Sequence, residues 1–326
     1  MSIIMATGFE HGTADIAPTA LIANSTVVSS ASHSGTYSLR TGQPGSGGSW
    51  AYPIGNIDTV YATFWQNMGD VFTGSGAFYL HGVTAPTAYV LGFRCAASGV
   101  WRAVRGGTTV ATASIVVPDS NWHHYKAYMY LANSGGRLKL ELDGVTILDF
   151  TGDTNAGSDT VINNVRFETF GNTYAYVDDL ILDTATNWGD IRFNGLTPSS
   201  DVSVAWTPST GATNYNLVDE VPYSDADYVE TATDAIQDIY GLTDWTGTNK
   251  TPEMTVLWAR ALKTTVDTQQ LKLIVKSGST TDVGSAQEIF STAGYIHRVD
   301  LTDPDTGTAW TDSGIDAMQV GMESEI

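Results

Sequence analysis

The 326-residue sequence has a single cysteine, Cys95, and few charged residues of either sign. One cysteine excludes an internal disulfide, and with it the class of small secreted domains that disulfides hold together. We expect Cys95 to be a buried, inert thiol. The charged fraction is 15%, whereas roughly 25% is typical of globular proteins. The surface must therefore consist largely of uncharged polar residues.

Basic residues are scarce, since 15 Lys and Arg stand against 35 Asp and Glu, which gives a formal net charge of −20. Nucleic acids and anionic membranes are bound through a positive surface, so both are unexpected partners. No segment approaches the roughly 18 apolar residues of a membrane-spanning helix. Residues 1–7 lack the basic and apolar regions of a secretion signal. We expect a protein made in a cytoplasm and not inserted into a membrane.

Glycine is abundant, with 33 residues, and short alternating segments recur between the turns. In the clearest segment, residues 122–150, apolar residues alternate with polar ones from 125 to 131 and again from 138 to 142. Because strand side chains point alternately to opposite faces, each run has one buried face. Residues 132–136 and Asp143-Gly144 favour chain reversals. The stretch therefore predicts a three-stranded antiparallel meander.

Similar runs predict about twelve strands before residue 185, too many for one sheet and suited to two stacked sheets. Residues 184–189 form a natural boundary, so we predict two domains, 1–187 and 188–326. In the second domain we predict strands over 255–262, 270–276, 288–301 and 316–323, and a helical turn over 235–240. The second domain is all-β and is not a repeat of the first.

The order of elements around the meander resembles that of concanavalin-A-like jelly rolls, in particular the laminin-G-like branch. The resemblance rests on the turn that leads into Trp122-His123-His124, the two long strands and the Asp143-Gly144 turn, and it covers residues 3–185. It implies an all-β fold, a jelly-roll sandwich followed by a second, smaller β-sandwich.

Three further segments resemble jelly-roll carbohydrate-binding modules, namely Gly8-Phe9-Glu10, residues 33–38 and residues 176–180. In those modules the Glu and the second Asp of the last strand hold a structural calcium together with backbone carbonyls. The resemblance implies that Glu10 and Asp179 bind Ca²⁺, which takes six to eight oxygen ligands. The alternative is that both are solvated turn and edge residues. No other cofactor is expected.

The second domain resembles the C-terminal parts of tailed-bacteriophage virion proteins. The segments concerned are NLVDEVPYSDADYVETAT, DIYGL and PDTGTAWTDSGIDAMQVGME. This implies a non-enzymatic virion protein, a head or tail decoration, fibre or spike subunit, made in the host cytoplasm. Its expected partners are other virion proteins, further copies of itself with a trimer as one option, and host-cell glycans. We expect the jelly roll to face outward and the C-terminal domain to dock. The alternatives are a free bacterial carbohydrate-binding module and, less favoured, a glycan hydrolase.

No catalytic residues are predicted. His123 and His124 are neighbours in a strand, so they point to opposite faces and cannot chelate one ion. Glu141 and Asp143 come nearest to the paired carboxylates of a glycosidase. No third acid follows them, and the Asp143-Gly144 turn already accounts for Asp143.

Aromatic residues are the remaining candidates for a binding surface, because their faces can stack on sugar rings while polar neighbours supply hydrogen bonds. The alternative for each of them is a place in a core or a subunit interface. The candidates for glycan binding are Trp50, Tyr52, Trp101, Tyr128 and Tyr130.

Overall fold

The computed structural model describes residues 3–16, 21–43, 45–69, 77–85, 88–96, 98–116, 120–157, 159–171, 173–211, 213–247 and 250–326. The chain forms two compact units, Met1–Phe193 and Asn194–Ile326. The first unit therefore extends beyond the predicted boundary at residue 187. Residues 188–193 belong to it because the amides of Trp188 and Phe193 donate to Thr63 and Asp179.

The first unit consists of two antiparallel sheets. The strands are β1 (Ile3–Thr7), β2 (Ile22–Ala23), β3 (Ser25–Val28), β4 (Ser38–Thr41), β5 (Ser49–Ile57), β6 (Thr59–Asn67), β7 (Ala77–Ala85), β8 (Ala88–Ala96), β9 (Val100–Arg105), β10 (Thr108–Val116), β11 (Trp122–Tyr130), β12 (Gly136–Leu142), β13 (Val145–Gly152), β14 (Ile162–Phe170) and β15 (Ala175–Asp183). Sheet A has the order β13-β12-β11-β6-β15-β4-β3, with β1 added to β15, and sheet B has the order β10-β9-β8-β7-β14-β5-β2. This is the predicted jelly-roll sandwich.

The predicted meander is confirmed as β11, β12 and β13. Ala127 lies opposite Leu140, and Leu140 lies opposite Leu148. The connection between β12 and β13 is the Asp143-Gly144 turn, where φ is +48° and +81°. Glycine adopts such angles freely and aspartate tolerates them, which is why this pair makes a tight reversal.

The core of the first unit lies between the two sheets and is rich in aromatic rings. Phe64 of sheet A meets Phe167 of sheet B edge to face, with ring centroids 5.2 Å apart. Tyr125 of sheet A lies 5.4 Å from Trp101 of sheet B. Trp50 is fully buried, and its indole N–H donates to the Ala14 carbonyl. These rings hold the two layers together by burial of apolar area.

The second unit is a smaller sandwich. Its elements are β16 (Pro198–Ser203), β17 (Thr207–Pro208), β18 (Val229–Glu230), β19 (Gln237–Leu242), β20 (Thr255–Ala261), β21 (Gln269–Ser277), β22 (Thr280–Val283), β23 (Gln287–Ile289), β24 (Gly294–Asp300), α1 (Asp312–Asp316) and β25 (Gln319–Glu325). A 3₁₀ helix spans Asn214–Leu217. Sheet C has the order β16-β19-β25-β21-β22, with β23 on β21, and two further pairs are β17–β18 and the ribbon β20–β24.

One face of the ribbon packs on sheet C. Leu257 of β20 contacts both apolar clusters of the unit, one around Trp310 and Val275 and the other around Leu271 and Leu273. Helix α1 is a single turn, and the Thr311 hydroxyl caps it by accepting from the Gly314 amide.

Two details of the second unit differ from the sequence prediction. The helical turn expected over 235–240 is wrong, because Ile239 and Tyr240 lie in strand β19 and are buried. The single strand expected over 288–301 is two strands, β23 and β24. Among the described residues, no helix has the length and apolar character needed to cross a bilayer.

Candidate functional site

Strand β14 divides polar from apolar side chains in the centre of sheet B. Val165 and Phe167 are fully buried in the core between the sheets. Asn164, Arg166 and Glu168 alternate with them and therefore lie on the opposite face. Asn164 and Glu168 are nevertheless buried, and buried polar residues are the informative exception on a sheet face turned away from the core.

The register brings further cations to the same face. Arg166 lies opposite His81 of β7. Arg94 of β8 lies directly opposite Arg102 of β9. Like charges directly opposite each other across a strand pair repel. We call this surface the basic face; its residues are His81, Arg94, Arg102, Asn164, Arg166 and Glu168.

The basic face is only partly accessible to water. His81 is 3% exposed and Glu168 is 6% exposed. The Arg166 guanidinium donates to Glu168 Oε1 over 2.8 Å. Burial, assisted by Arg166 and Arg94, lowers the pKa of His81 to about 3. The imidazole is therefore neutral at physiological pH and can accept or donate a hydrogen bond beside the guanidinium groups.

This arrangement is suited to an anionic ligand. Three arginines against one glutamate leave a positive balance on the strands of this face, in a chain whose formal net charge is −20. Guanidinium groups bind carboxylates with two parallel hydrogen bonds, and such bonds strengthen where water is partly excluded. Gly92 lies opposite His81 and adds no side chain to this face.

Three of the five aromatic residues predicted to bind glycans lie elsewhere. Trp50 and Trp101 are fully buried between the sheets, and Tyr52 is 8% exposed on the core face of β5. Burial raises the pKa of Tyr52 to about 12. A buried ring has no face to offer a sugar, so the predicted role of these three is corrected to core packing.

The other two, Tyr128 and Tyr130, lie on the outer face of sheet A. The Tyr128 ring stacks on that of Tyr61 at 4.6 Å. Desolvation and the neighbouring Tyr61 raise the pKa of Tyr128. Arg137 forms a two-pronged ion pair with Asp149 on the adjoining strands. Glycan binding by Tyr128 and Tyr130 stays a prediction.

Glu10 and Asp179, the predicted calcium ligands, both bind the loop of residues 33–37. Both oxygens of Glu10 accept from the Thr36 amide, and Oε1 also accepts from Tyr37. Burial raises the pKa of Glu10, and the nearby carboxylate of Asp179 adds to the rise. The two acids therefore lie close enough to interact.

Asp179 lies at a bulge of β15, with φ at +48°. Its Oδ1 accepts from the Ser34 hydroxyl and the Phe193 amide, and its Oδ2 lies 2.8 Å from His33 Nδ1. Hydrogen bonds thus engage all four carboxylate oxygens of Glu10 and Asp179, so Ca²⁺ would have to displace them. Within the described ranges, no three acidic, His or Cys side chains are grouped to hold a metal. Calcium binding stays a prediction.

The residues considered for catalysis or metal binding do not form one site. Cys95 is buried, as expected, and burial raises the pKa of its thiol to about 12. His123 pairs with Asp143 at 2.7 Å, whereas His124 stacks on Trp65. Glu141 pairs with Lys139 over 2.5 Å rather than facing Asp143 across a cleft.

Sequence reasoning missed the basic face because its residues come from four strands, spread from 81 to 168, with no motif linking them. One signal was available. Arg166 and Glu168 alternate with the core residues Val165 and Phe167, and charged residues alternating with apolar ones in an otherwise charge-poor chain mark a polar sheet face.

No family model matches the chain, and no curated protein matches it either. Solved structures are similar at low identity. A Bacillus subtilis protein with a galectin-like fold is 10% identical, with 58% of this chain and 98% of that one covered, at a TM-score of 0.39. A variant alginate lyase in complex with alginate tetrasaccharide is 12% identical, with 57% and 95% covered, at 0.37.

A sialidase is 11% identical, with 50% of this chain and 17% of that one covered, at a TM-score of 0.38. The chain thus spans about a sixth of that sialidase. At such identities and scores these likenesses carry no argument about function. The fold of the first unit rests on its own sheet order, which is that of a two-sheet jelly-roll sandwich.

Proposed function

We propose that the first unit binds a carboxylate-bearing glycan on the basic face and does not cleave it. The observation that carries the proposal is the direct cross-strand pair Arg94 and Arg102, with Arg166 beside neutral His81 on the same face. A uronic acid chain offers a carboxylate at each residue, which matches a row of guanidinium groups. The hydroxyls of the sugar suit neutral His81 and Asn164.

Binding without cleavage is proposed because the acids weighed for hydrolysis are engaged elsewhere. Lys139 holds Glu141, and His123 holds Asp143. To test for cleavage, the protein is incubated with an acidic oligosaccharide that it binds, and the mixture is assayed for new reducing ends and for unsaturated products. Product formation by the wild-type protein that Glu141→Gln abolishes would establish the hydrolase alternative.

Calorimetry with a panel of oligogalacturonate, oligomannuronate and oligoglucuronate tests the binding. The methyl ester of the galacturonate serves as a neutral ligand of the same shape. We expect Arg102→Ala to weaken binding of the acidic ligand by roughly tenfold or more, because a hydrogen bond to a charged group contributes about 1.5–3 kcal/mol. Raised salt should weaken it too.

Arg192→Ala is the matched control, since Arg192 is an exposed arginine of the first unit that lies outside both sheets, 3.8 Å from Asp190. It should leave the affinity unchanged. No binding of any acidic oligosaccharide, equal binding of the methyl ester, or equal losses in the two variants would contradict the proposal.

A place in a phage particle remains part of the proposal and rests on the sequence resemblance of the second unit. There the protein would assemble with further copies of itself and with other virion proteins, and its glycan would be on the host surface. Light scattering of the purified protein and its binding to cells with and without capsule test this role. A monomer that ignores both kinds of cell would contradict the attachment role.

A further inference from the structure

The β20–β24 ribbon of the second unit has one face away from sheet C. Leu257 and Ala259 pack towards the apolar clusters, so Trp258 and Arg260, which alternate with them, lie on the other face. Across the ribbon, His297 lies opposite Trp258 and Tyr295 lies opposite Arg260. Two neighbouring cross-strand pairs thus place four large side chains on one outward surface.

The rings on this surface contact one another in a continuous row. Trp258 stacks on His297, with centroids 4.6 Å apart and planes 23° apart. Tyr295 meets Trp258 edge to face at 6.3 Å. Tyr223, from the segment before β18, meets Tyr295 at 6.2 Å. All four are partly exposed. We call Tyr223, Trp258, Tyr295 and His297 the aromatic platform.

A cation holds one end of the aromatic platform in place. The Arg260 guanidinium lies 3.7 Å from the centre of the Tyr223 ring, a cation–π contact. Two of its nitrogens donate to the two oxygens of Asp225 over 2.8 and 2.9 Å. Asp225 thereby neutralises Arg260. The rings are ordered before any ligand arrives, which lowers the entropic cost of binding.

We propose that the aromatic platform binds a neutral oligosaccharide by stacking, at a site separate from the basic face. Partly exposed, fixed rings offer apolar surface to the C–H faces of a pyranose, and the edges of His297 and Tyr295 carry hydrogen-bonding groups. The balanced Arg260–Asp225 pair favours a ligand without charge. Bases also stack on such rings, but the overall charge of −20 opposes a polyphosphate backbone.

The experiment measures binding of cellohexaose, chitohexaose and maltohexaose to the full chain by calorimetry and tryptophan fluorescence. We expect at least one of them to bind with a Kd below about 1 mM. Trp258→Ala should weaken that binding about tenfold or more, the effect of losing one stacking contact. Trp258→Phe keeps an aromatic face and should recover part of it.

Phe290→Ala is the matched control, because Phe290 is an aromatic residue of the same unit that is 60% exposed and lies outside the platform. It should leave binding unchanged. Arg102→Ala on the basic face should also leave it unchanged, whereas it should impair binding of the acidic glycan. The two proposals therefore fail independently.

Three results would overturn the inference. One is that none of the three oligosaccharides binds below about 1 mM. Another is that Trp258→Ala and Phe290→Ala weaken binding equally while thermal melting shows both variants folded. A third is that Trp258→Ala lowers the oligomeric mass of the purified protein measured by light scattering. The platform would then be an interface between copies of the chain.

Discussion

The Ser34 hydroxyl donates to Asp179 Oδ1 over 2.6 Å and so ties the loop of residues 33–37 to the last strand of the first unit. The same oxygen accepts from the Phe193 amide, which ties in the segment that leaves the unit. One carboxylate thus joins three parts of the chain that are distant in sequence.

We predict that Asp179→Ala lowers the free energy of unfolding by about 2–4 kcal/mol, because it leaves partly buried donors without their acceptor. Urea denaturation measures the change. Asp149→Ala, at an exposed ion pair with Arg137, should cost less than about 1 kcal/mol. Equal losses in the two variants would contradict the role given to Asp179.

The calcium prediction is tested on the same variant. If Glu10 and Asp179 hold Ca²⁺, EDTA should lower the melting temperature of the wild-type protein, and Asp179→Ala should abolish this sensitivity. A wild-type melt that EDTA leaves unchanged would instead show that hydrogen bonds alone hold the loop.

Asp178 gives a prediction about pH. Burial, with Asp179 as a neighbour, raises the pKa of Asp178 to about 8, whereas an unfolded aspartate has a pKa of about 3.9. Between these values the folded state retains a proton that the unfolded state releases. This contribution to stability is therefore complete below the unfolded pKa and is lost as the pH rises through the folded one.

Asp178→Asn removes this titration. We expect the free energy of unfolding of the variant, relative to wild type, to rise between about pH 5 and pH 8, by at most about 1.4 kcal/mol per pH unit, the limit for one proton. Urea denaturation across this range measures the difference. A difference that does not vary with pH would show that Asp178 does not titrate there.

Because Trp101 lies in the core between the sheets, we predict that its substitution changes stability rather than glycan binding. Trp101→Ala should lower the free energy of unfolding by about 3–5 kcal/mol, since it empties a large site between the sheets. Tyr128→Ala, on the outer face of sheet A, should change it by about 1 kcal/mol or less. Comparable losses on denaturation would contradict the placement of the two residues.

In the second unit, buried Asp238 accepts from the amides of Ala205 and Trp206 and from the side chains of Asn214 and Tyr240. We expect Asp238→Ala to destabilise the unit by about 2–4 kcal/mol because these donors lose their acceptor. Hydrogen exchange should accelerate in β16 and β19 and stay unchanged in β11. Unchanged exchange in β16 would contradict this.

The sequence predicted the meander and the two-sheet sandwich because strand alternation and turn residues are local signals. Leu138, Leu140 and Leu142 fall on one face wherever the strand lies. The strand β19 was mistaken for a helical turn because the segment is short, and sheet pairing with β25 decides its structure. Local propensity does not contain that pairing.

The candidate sites depended on information that alternation alone does not carry. Alternation separates the two faces of a strand but does not say which face is the core, so Trp50 and Trp101 were placed on a binding surface. Arg94 and Arg102 become neighbours only through the register of β8 and β9. Likewise, Tyr223 reaches Arg260 only in the folded second unit.

The segment that leaves the first unit is hydrogen-bonded to sheet A before the second unit begins. The Trp188 and Trp65 indoles donate to Asp183 and Asp190, and the Phe193 amide donates to Asp179. A mechanical load applied through the second unit would therefore reach these hydrogen bonds first. These hydrogen bonds therefore separate the core of the first unit from whatever pulls on the second unit.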